Sequence, residues 1–460
     1  MKKVSHGYLL SVLDKTEAGP VVEEKDWDSL FIGAKVKELV EKYDINWEDR
    51  TLVPSNDALA DRLFQAGWEL ALESGAYCVS TRRRMIWEQS ELEGVIDSAP
   101  SELTVGQGKD EVTIQFRRPE QDARVTVIGG AYGTLIQEEF FIPMVTAYAK
   151  EPLLDIIETP SLQTAYGRTI RIQSPWEAVA GKREADMALE AIKRVGRPGV
   201  CVGAAATSGS ELIEMAATTY GAFRQTDWHH ASLISENKVS YADLTRAVHF
   251  VQTGTIAHTF CDPIYGGYLG GRQGVAIGCV AGCLIERAAL LSDTVNAGPS
   301  HAHLSCDTHP DMLAAQALAF QALSRNTHLL NAVHVRPAAG PGEKDLLYEV
   351  AAMAIMAVPS GVDYLKTVQS ATGRHMGHTS PLEARFCAQV AHAVEGITRK
   401  EAEPIVRWLV DKYGEDLPLE QIGKPFQEVY DLETLEPNED WLGIYEEVCE
   451  ELHQEFDLDL

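Results

Sequence analysis

Closely spaced histidines in the second half of the sequence offer groups that can bind a metal ion. His301 and His303 are separated by a single residue, so both side chains would lie on one face of a strand. Cys306 and His309 follow at turn-like spacing, and imidazole and thiolate groups are ligands that zinc prefers. No Cys-x-x-Cys or His-Glu-x-x-His motif supports this hypothesis, and structural roles are more common for such histidines. We therefore expect no bound metal and keep His301 and His303 as the alternative.

The elements that would position such side chains alternate regularly along the chain. From Arg118 onward, short β-branched segments alternate with Ala- and Leu-rich helical segments. Eight strands followed by helices favour a closed (β/α)8 barrel of the TIM type, an α/β fold, with a doubly wound open sheet as the alternative. The predicted strands are 125–128, 154–157, 199–202, 229–234, 255–260, 300–304, 329–335 and 362–368.

The predicted barrel spans residues 118–397 and carries a helical addition at each end. Residues 1–117 form a helical, acidic extension, and residues 398–460 form a second helical segment. The stretch from Asp431 to Leu460 contains 12 acidic residues and no Lys or Arg. Such a run is usually the solvated face of a helix, although it can also serve as a docking surface.

The barrel hypothesis predicts where a site would lie. In enzymes with this fold, site residues lie where the strands end and the following loops begin. This rule selects polar, aromatic and small residues at the ends of several predicted strands, namely Gly203, His229, His230, Phe260, Cys261, Asp262, His301, His303, His334 and Arg336.

The overall composition excludes several classes of partner. Lys and Arg number 40 against 68 Asp and Glu, a net charge of −28, which argues against nucleic acid and anionic membranes. The most apolar stretch, 274–285, is shorter than the roughly 20 residues that cross a bilayer. Eight scattered cysteines indicate a reducing compartment, so we expect a cytoplasmic location. Cys279 and Cys283 are interpreted as core residues of an apolar helix.

Nine short segments, in order over nearly the whole chain, resemble the methylamine:corrinoid methyltransferases and specifically the monomethylamine branch. The resemblance implies a (β/α)8 barrel, frequent homo-oligomers, and delivery of a methyl group to the cobalt(I) of a separate corrinoid protein. The matching segments are Asp26-Trp27-Asp28, Leu63-Phe64-x-Ala66-Gly67-x-Glu69, Gly129-Gly130-x-x-Gly133, Ser174-Pro175-x-Glu177, Gly196-Arg197-Pro198-Gly199, Thr226-Asp227, Pro263-Ile264-x-Gly266-Gly267-Tyr268-x-Gly270-Gly271, Ala339-Gly340-Pro341 and Lys424-x-Phe426-Gln427-Glu428-x-Tyr430-Asp431.

One departure from this family concerns its reactive residue. The resemblance places a pyrrolysine four residues after Gly199, and that position is Gly203 here. The positions that surround the pyrrolysine, where the family has mainly carboxylates, a glutamine and a tyrosine, also differ. They correspond to Ala206, His230, Phe260, His334 and Arg336. These changes together indicate a rebuilt pocket, so pyrrolysine chemistry and monomethylamine as substrate are not expected.

The remaining chemistry must help the leaving group of the methyl donor to depart. A quaternary nitrogen can leave unaided, an acid can protonate the leaving atom, or a metal can activate an oxygen or sulfur that carries the methyl group. Aromatic residues near one predicted rim can stabilise a quaternary ammonium by about 0.5 to 2 kcal/mol, and an arginine can bind a carboxylate. We therefore expect a small N-methylated substrate, which can be quaternary and carboxylate-bearing. The predicted catalytic residues are His334, His230 and Arg336, and the predicted substrate-binding residues are Gly203, Ala206, Trp228, Phe260, Asp262 and Tyr265.

The expected cofactor is a corrinoid carried by a partner protein, with no cofactor tightly bound to this chain. Two other functions remain open. One is a zinc-dependent barrel enzyme that uses His301 and His303, and the other is a non-catalytic homologue that only binds a ligand or a corrinoid protein.

Overall fold

Eight parallel strands form a single sheet that closes into a barrel, as predicted. The computed structural model describes residues 6–48, 50–207 and 209–460. The sheet follows chain order from the first strand to the last. Its strands are β1 (Thr126–Gly130), β2 (Ile156–Glu158), β3 (Cys201–Gly203), β4 (Trp228–Ser232), β5 (Ile256–Phe260), β6 (Val295–Asn296), β7 (Asn331–Val335) and β8 (Tyr364–Val368).

Two contacts complete the closure of the barrel. Strand β8 pairs in parallel with β1, with Tyr364 opposite Thr126. Between β5 and β6 the backbone amide of Cys261 donates to the carbonyl of Asn296 at 2.9 Å. Every barrel strand thus has a neighbour on both sides, which removes the unpaired edges of an open sheet.

A helix follows each strand and covers the outside of the barrel. Several begin at residues that cap free backbone amides, for example Ser240, whose hydroxyl accepts from the Asp243 amide, and Ser174, which precedes a proline. The helices are α1 (Glu138–Lys150), α2 (Pro175–Arg194), α3 (Glu211–Ala217), α4 (Tyr241–Thr253), α5 (Arg272–Leu290), α6 (Pro310–Asn326), α7 (Lys344–Ala357) and α8 (Pro381–Ala393).

Helix α5 is apolar and long enough, at 19 residues, to cross a membrane, but 94% of its most apolar window is buried inside the protein. It packs against α6 and against the N-terminal helix Asp57–Ser74. The apolar character of α5 therefore reflects burial on several sides within the fold.

The N-terminal addition wraps the barrel and closes its amino end. A hairpin of Glu102–Val105 and Val112–Gln115 places Leu103 and Ile114 in one apolar cluster with barrel residues such as Ile256. The other elements of this addition are helices His6–Ala18, Glu24–Asp26, Trp27–Ala34 (a π-helix), Lys35–Lys42, Asp57–Ser74 and Gln89–Asp97, the short helix Gly108–Asp110, and strands Ala76–Cys78 and Arg83–Met85.

The C-terminal addition packs on α7. Its helices are Arg399–Tyr413, Phe426–Val429 and Glu439–Phe456. In the last of these, Glu451 accepts hydrogen bonds from Lys344 and Tyr348, while Trp441 and Leu452 are buried. Part of the acidic run is therefore anchored to the barrel, and the rest of its carboxylates face solvent.

The prediction of the sixth strand is wrong. Barrel strand β6 is Val295–Asn296, upstream of the predicted 300–304. Ser300–His301 instead pairs with Ile264–Tyr265 as a separate two-stranded sheet in the loops. The β6 residues are too few for a clear β-branched run. The hairpin at 102–115 was also missed, because the region was predicted to be helical. The domain boundaries stay predictions.

Short strands and helices in the connections complete the fold. They are strands Leu135–Ile136, Ser161–Leu162, Thr164–Ala165, Arg168–Thr169 and Lys238–Val239, with helices Val358–Ser360, Ser370–Gly373 and Leu417–Leu419.

Shortening the buried side chain of Ile114, in the hairpin that closes the amino end of the barrel, should destabilise the protein. We expect Ile114→Ala to lower the free energy of unfolding by about 2–5 kcal/mol, because it leaves a cavity in the apolar cluster at the amino end. Thr113→Ala, one residue earlier on the exposed face, is the matched control and should cost well under 1 kcal/mol. Urea unfolding followed by circular dichroism measures both, and equal effects would show that the hairpin does not seal the barrel.

Candidate active site

Polar side chains from different strands meet inside the barrel near its carboxyl end. Strand register places His230 of β4 opposite His258 of β5, and His334 of β7 opposite Lys366 of β8. Because alternate strand residues share a face, the layer below contains Trp228 and Tyr364. A polar layer thus lies directly on the apolar cluster of the lower barrel.

His258 connects the polar and apolar layers. Its ring stacks on Trp228 with centroids 5.0 Å apart, and the Tyr364 hydroxyl lies 2.9 Å from its Nδ1. The Thr294 hydroxyl is also 2.9 Å from this nitrogen. These contacts fix the ring and leave Nε2 free within the described part of the chain.

Lys366 is the buried cation of the site. Its Nζ lies 3.8 Å from Glu158 Oε1, 4.3 Å from the ring centroid of Tyr132 and 4.7 Å from that of Phe260. Only 1% of the lysine is exposed. Burial lowers the pKa of Lys366 and raises the pKa of Glu158, while the opposite charge of each partner counteracts both shifts, so the pair shares one proton.

His230 lies on the other side of Glu158. Its Nε2 is 2.9 Å from Glu158 Oε1, although the atoms are not aligned as a hydrogen bond, and its ring contacts Tyr132 edge-on at 4.3 Å. Burial, reinforced by the charge of Lys366, lowers the pKa of His230 and His258 well below the ordinary value. Burial, reinforced by the charge of Arg336, also lowers the pKa of His334 well below the ordinary value. All three imidazoles are therefore neutral near pH 7.

Several buried polar atoms of this layer have no hydrogen-bond partner among residues 6–48, 50–207 and 209–460. Buried polar atoms in proteins are nearly always paired, so a group of unpaired ones indicates a bound small polar molecule. These atoms are Lys366 Nζ, both ring nitrogens of His230, His258 Nε2, His334 Nε2, Glu158 Oε1 and both side-chain atoms of Asn296.

An ion pair lies at the rim above this layer. Arg336 Nη2 is 3.0 Å from Asp262 Oδ1 and donates to the carbonyl of Gly298 at 2.9 Å. The backbone amide of Arg336 donates to Asp307 at 2.8 Å. The side chain of Asp262 is 34% exposed against 12% for Arg336, so the pair faces the opening. A substrate carboxylate would have to compete with Asp262 for this arginine.

Gly203 has no room for a side chain. Its φ is +151°, and a Cβ built there would lie 2.0 Å from the carbonyl oxygen of Trp228. The register places Gly203 opposite Glu158. The wall of the barrel at this point is therefore bare backbone.

Two predicted binding residues lie in loops rather than in the polar layer. The Ala206 carbonyl accepts from the Ser161 hydroxyl at 2.6 Å. The Tyr265 hydroxyl donates to Asp311 at 2.6 Å, and its ring packs against His301 and His309. The remaining predicted residues, Trp228, His230, Phe260, His334, Asp262 and Arg336, lie in or directly above the barrel interior.

His301 and His303 do not share a strand face, so the premise of the alternative metal site is wrong. The strand ends at His301, whose Nδ1 accepts from the backbone amides of His303 at 3.2 Å and Leu304 at 3.1 Å. This nitrogen closes a turn and is not available to a metal.

Sequence reasoning missed Lys366, Glu158, Tyr132 and Asn296. A signal existed for Lys366, since a lysine within an apolar parallel strand must be buried and paired. Glu158 directly follows Ile157 at the end of β2, a position that the strand-end rule also covers.

The fold and this layer define a (β/α)8 barrel with a cluster of buried polar side chains at the carboxyl ends of its strands, the place where enzymes of this fold have their sites. The family model described as monomethylamine methyltransferase MtmB matches residues 8–456. Monomethylamine methyltransferase MtmB2 of Methanosarcina acetivorans is 31% identical over 445 residues, 96% of each chain. The crystal structure of the Methanosarcina barkeri enzyme MtmB superposes with a TM-score of 0.95 at 29% identity, covering 98% of each chain. A hydroxylamine complex of MtmB matches equally well.

The chain belongs to the monomethylamine methyltransferase family, MtmB. This confirms the family resemblance and the (β/α)8 barrel.

A side chain at position 203 should be poorly tolerated. We expect Gly203→Ala to lower the free energy of unfolding by about 1–3 kcal/mol, because the new Cβ overlaps the Trp228 carbonyl. Gly209→Ala is the matched control, since a Cβ there meets no described atom within 4 Å. Urea midpoints compare the two, and equal midpoints would show that the wall yields to a side chain.

Proposed function

We propose that this chain transfers a methyl group from a small N-methylated amine to the cobalt(I) of a corrinoid protein, without pyrrolysine. Membership of the MtmB family supports the reaction class. The observation that carries the proposal is the proton-holding pair of Lys366 and Glu158 beside three neutral imidazoles. We further propose that the chain is cytoplasmic and forms homo-oligomers.

The absence of pyrrolysine is part of this proposal. The family resemblance aligns its position with Gly203, where the backbone conformation leaves no space for a side chain. The task of assisting the leaving amine then falls on ordinary side chains of the barrel interior.

The corrinoid supplies a strong nucleophile, and this chain must present the methyl group and release the amine. The unpaired polar atoms of the interior suit a small substrate. The partly exposed Arg336–Asp262 pair marks the side from which a partner's cofactor would approach. The corrinoid is therefore a group brought to the barrel mouth, and no residue is assigned to hold it.

Release of the amine requires a proton unless the nitrogen is quaternary. When the carbon–nitrogen bond breaks, its electron pair stays on nitrogen, and the product leaves readily only as a neutral amine. The neutral histidines hold no proton for this purpose near pH 7, because burial lowers their pKa. Lys366 is the group that can supply one, while His230 and His334 can orient the substrate by hydrogen bonds.

The aromatic contacts favour a substrate that needs this proton. The faces of Tyr132 and Phe260, which would suit a quaternary ammonium, are occupied by the ammonium of Lys366. A second fixed cation beside it would be repelled in so buried a site. We therefore rank N-methyl amines that bind as the neutral base and take up the proton of Lys366, including N-methyl amino acids, above the quaternary betaines expected from sequence.

The substrate class is tested with a donor panel. Purified enzyme, cob(I)alamin and one of methylamine, dimethylamine, N-methylglycine, N,N-dimethylglycine or glycine betaine are incubated anaerobically, and methylated cobalamin is measured by absorbance. We expect product with at least one donor whose nitrogen can accept a proton, which is every donor of the panel except glycine betaine. Product from betaine alone would contradict the acid role of Lys366. Absence of product from all donors, with a corrinoid protein still bound in a pull-down, would support the non-catalytic alternative.

Lys366 should be essential for methyl transfer. We expect Lys366→Met to reduce kcat by about 10²–10⁴-fold, the usual contribution of a general acid, with Lys37→Met on the exposed surface as control. Unchanged kcat in Lys366→Met would contradict the proposal.

The pH profile gives a separate test of the same residue. An acid works only when protonated, so activity should fall as pH rises through the pKa of Lys366. Burial lowers this pKa below the ordinary 10.5, which puts the alkaline limb below that value. In Lys366→Arg the fall in activity at alkaline pH should disappear, because an arginine stays protonated in this range. A fall that persists unchanged would show that another group causes it.

A further inference from the structure

A second cluster of reactive groups lies outside the barrel interior, between β5 and α5. Cys261 directly follows β5, and Cys283 and Glu286 are three residues apart on α5. The two sulfur atoms and one carboxylate oxygen lie within 4.8 Å of one another, and all three residues are buried. The proposed mechanism uses none of them.

The convergence of these side chains depends on a glycine. Residues three apart on a helix share a face, which directs Cys283 and Glu286 to the same side of α5. Gly282, the residue before Cys283 on α5, faces the end of the strand, and a Cβ built there would lie 2.4 Å from Cys261 Sγ. Any other residue there would push the strand end away, so the glycine allows the thiol of Cys261 to reach the helix.

The carboxylate of Glu286 is incompletely satisfied. Its Oε2 accepts from the Thr259 hydroxyl at 2.6 Å and from the backbone amide of Asn296 at 3.1 Å. Its Oε1 is buried and has no aligned hydrogen bond in the described part of the chain, and the nearby donor to the carboxylate is the thiol of Cys261. A thiol is a weak donor, so a fully buried carboxylate that has only thiols for its second oxygen indicates a missing ligand.

We propose that Cys261, Cys283 and Glu286 bind a Zn²⁺ ion. Two thiolates and a carboxylate form a donor set typical of this metal, with a fourth position for a water molecule. On binding, the two S–H bonds and any O–H bond on Glu286 break, the protons go to solvent, and metal–sulfur and metal–oxygen bonds form. Tetrahedral ligands at about 2.0–2.3 Å lie about 3.5 Å apart, so the side chains need to close slightly.

The position of the ion defines its role. Cys261 lies between Phe260, which contacts Lys366, and Asp262, which pairs with Arg336. Zinc would fasten the end of β5 to α5 from behind the barrel wall, and would thereby hold these two site residues in place. This differs from the zinc hypothesis based on His301 and His303, and it replaces the interpretation of Cys283 as core packing alone.

The metal content of the whole protein tests the proposal independently of methyl transfer. Protein purified after expression with added zinc is analysed by plasma mass spectrometry, and we expect about one Zn²⁺ per chain. Cys261→Ser, Cys283→Ser and Glu286→Gln should each lose most of it. Cys279→Ser, one turn earlier on α5 and outside the trio, is the matched control and should retain it.

Cobalt provides a second readout that needs no folded variant. Wild-type protein loaded with Co²⁺ in place of zinc should show the near-ultraviolet absorption of thiolate-to-cobalt charge transfer. Less than a tenth of an equivalent of metal in wild type, or equal loss in Cys279→Ser, would overturn the proposal.

Discussion

The burial of the Lys366 ammonium inside a closed barrel is the constraint on which the carboxyl end of this protein depends. An ammonium removed from water is costly unless opposite charge and polarisable faces surround it. Glu158 supplies the charge, and Tyr132 and Phe260 supply the aromatic faces. The position of the lysine therefore determines which side chains the surrounding strands and loops of the barrel must provide, and leaves little choice at those positions.

The apolar lower half of the barrel strengthens this effect. The hairpin that carries Ile114 closes the amino end, and the layer of Trp228 and Tyr364 separates it from the polar layer above. Water is excluded from below, so the same low dielectric that lowers the pKa of Lys366 also keeps His230 and His258 neutral. Stability and chemistry thus have a common origin, because the residues that seal the barrel also decide where a proton is held.

The fold that this chain shares with the MtmB family does not determine which side chains form its site. A TM-score of 0.95 shows that the backbone framework is retained. The interior of that framework presents a bare glycine at position 203 and a buried lysine on β8. A barrel permits this separation, since strands and helices carry the fold while strand ends carry the chemistry. The contact of Cys261 with α5 combines the two roles, because it joins a helix of the fold to a strand end that carries site residues.

The sequence by itself determined the barrel and seven of its eight strands, because periodic apolar segments are local properties, and it determined the family through motifs spread along the chain. Six predicted site residues lie in or above the interior, and their roles stay predictions. It could not determine β6, where Val295–Asn296 is too short to be recognised. It also could not show that Lys366 faces Glu158, since those residues belong to strands far apart in the chain. Only the closed sheet brings them within 3.8 Å, and the resulting burial sets which group is charged.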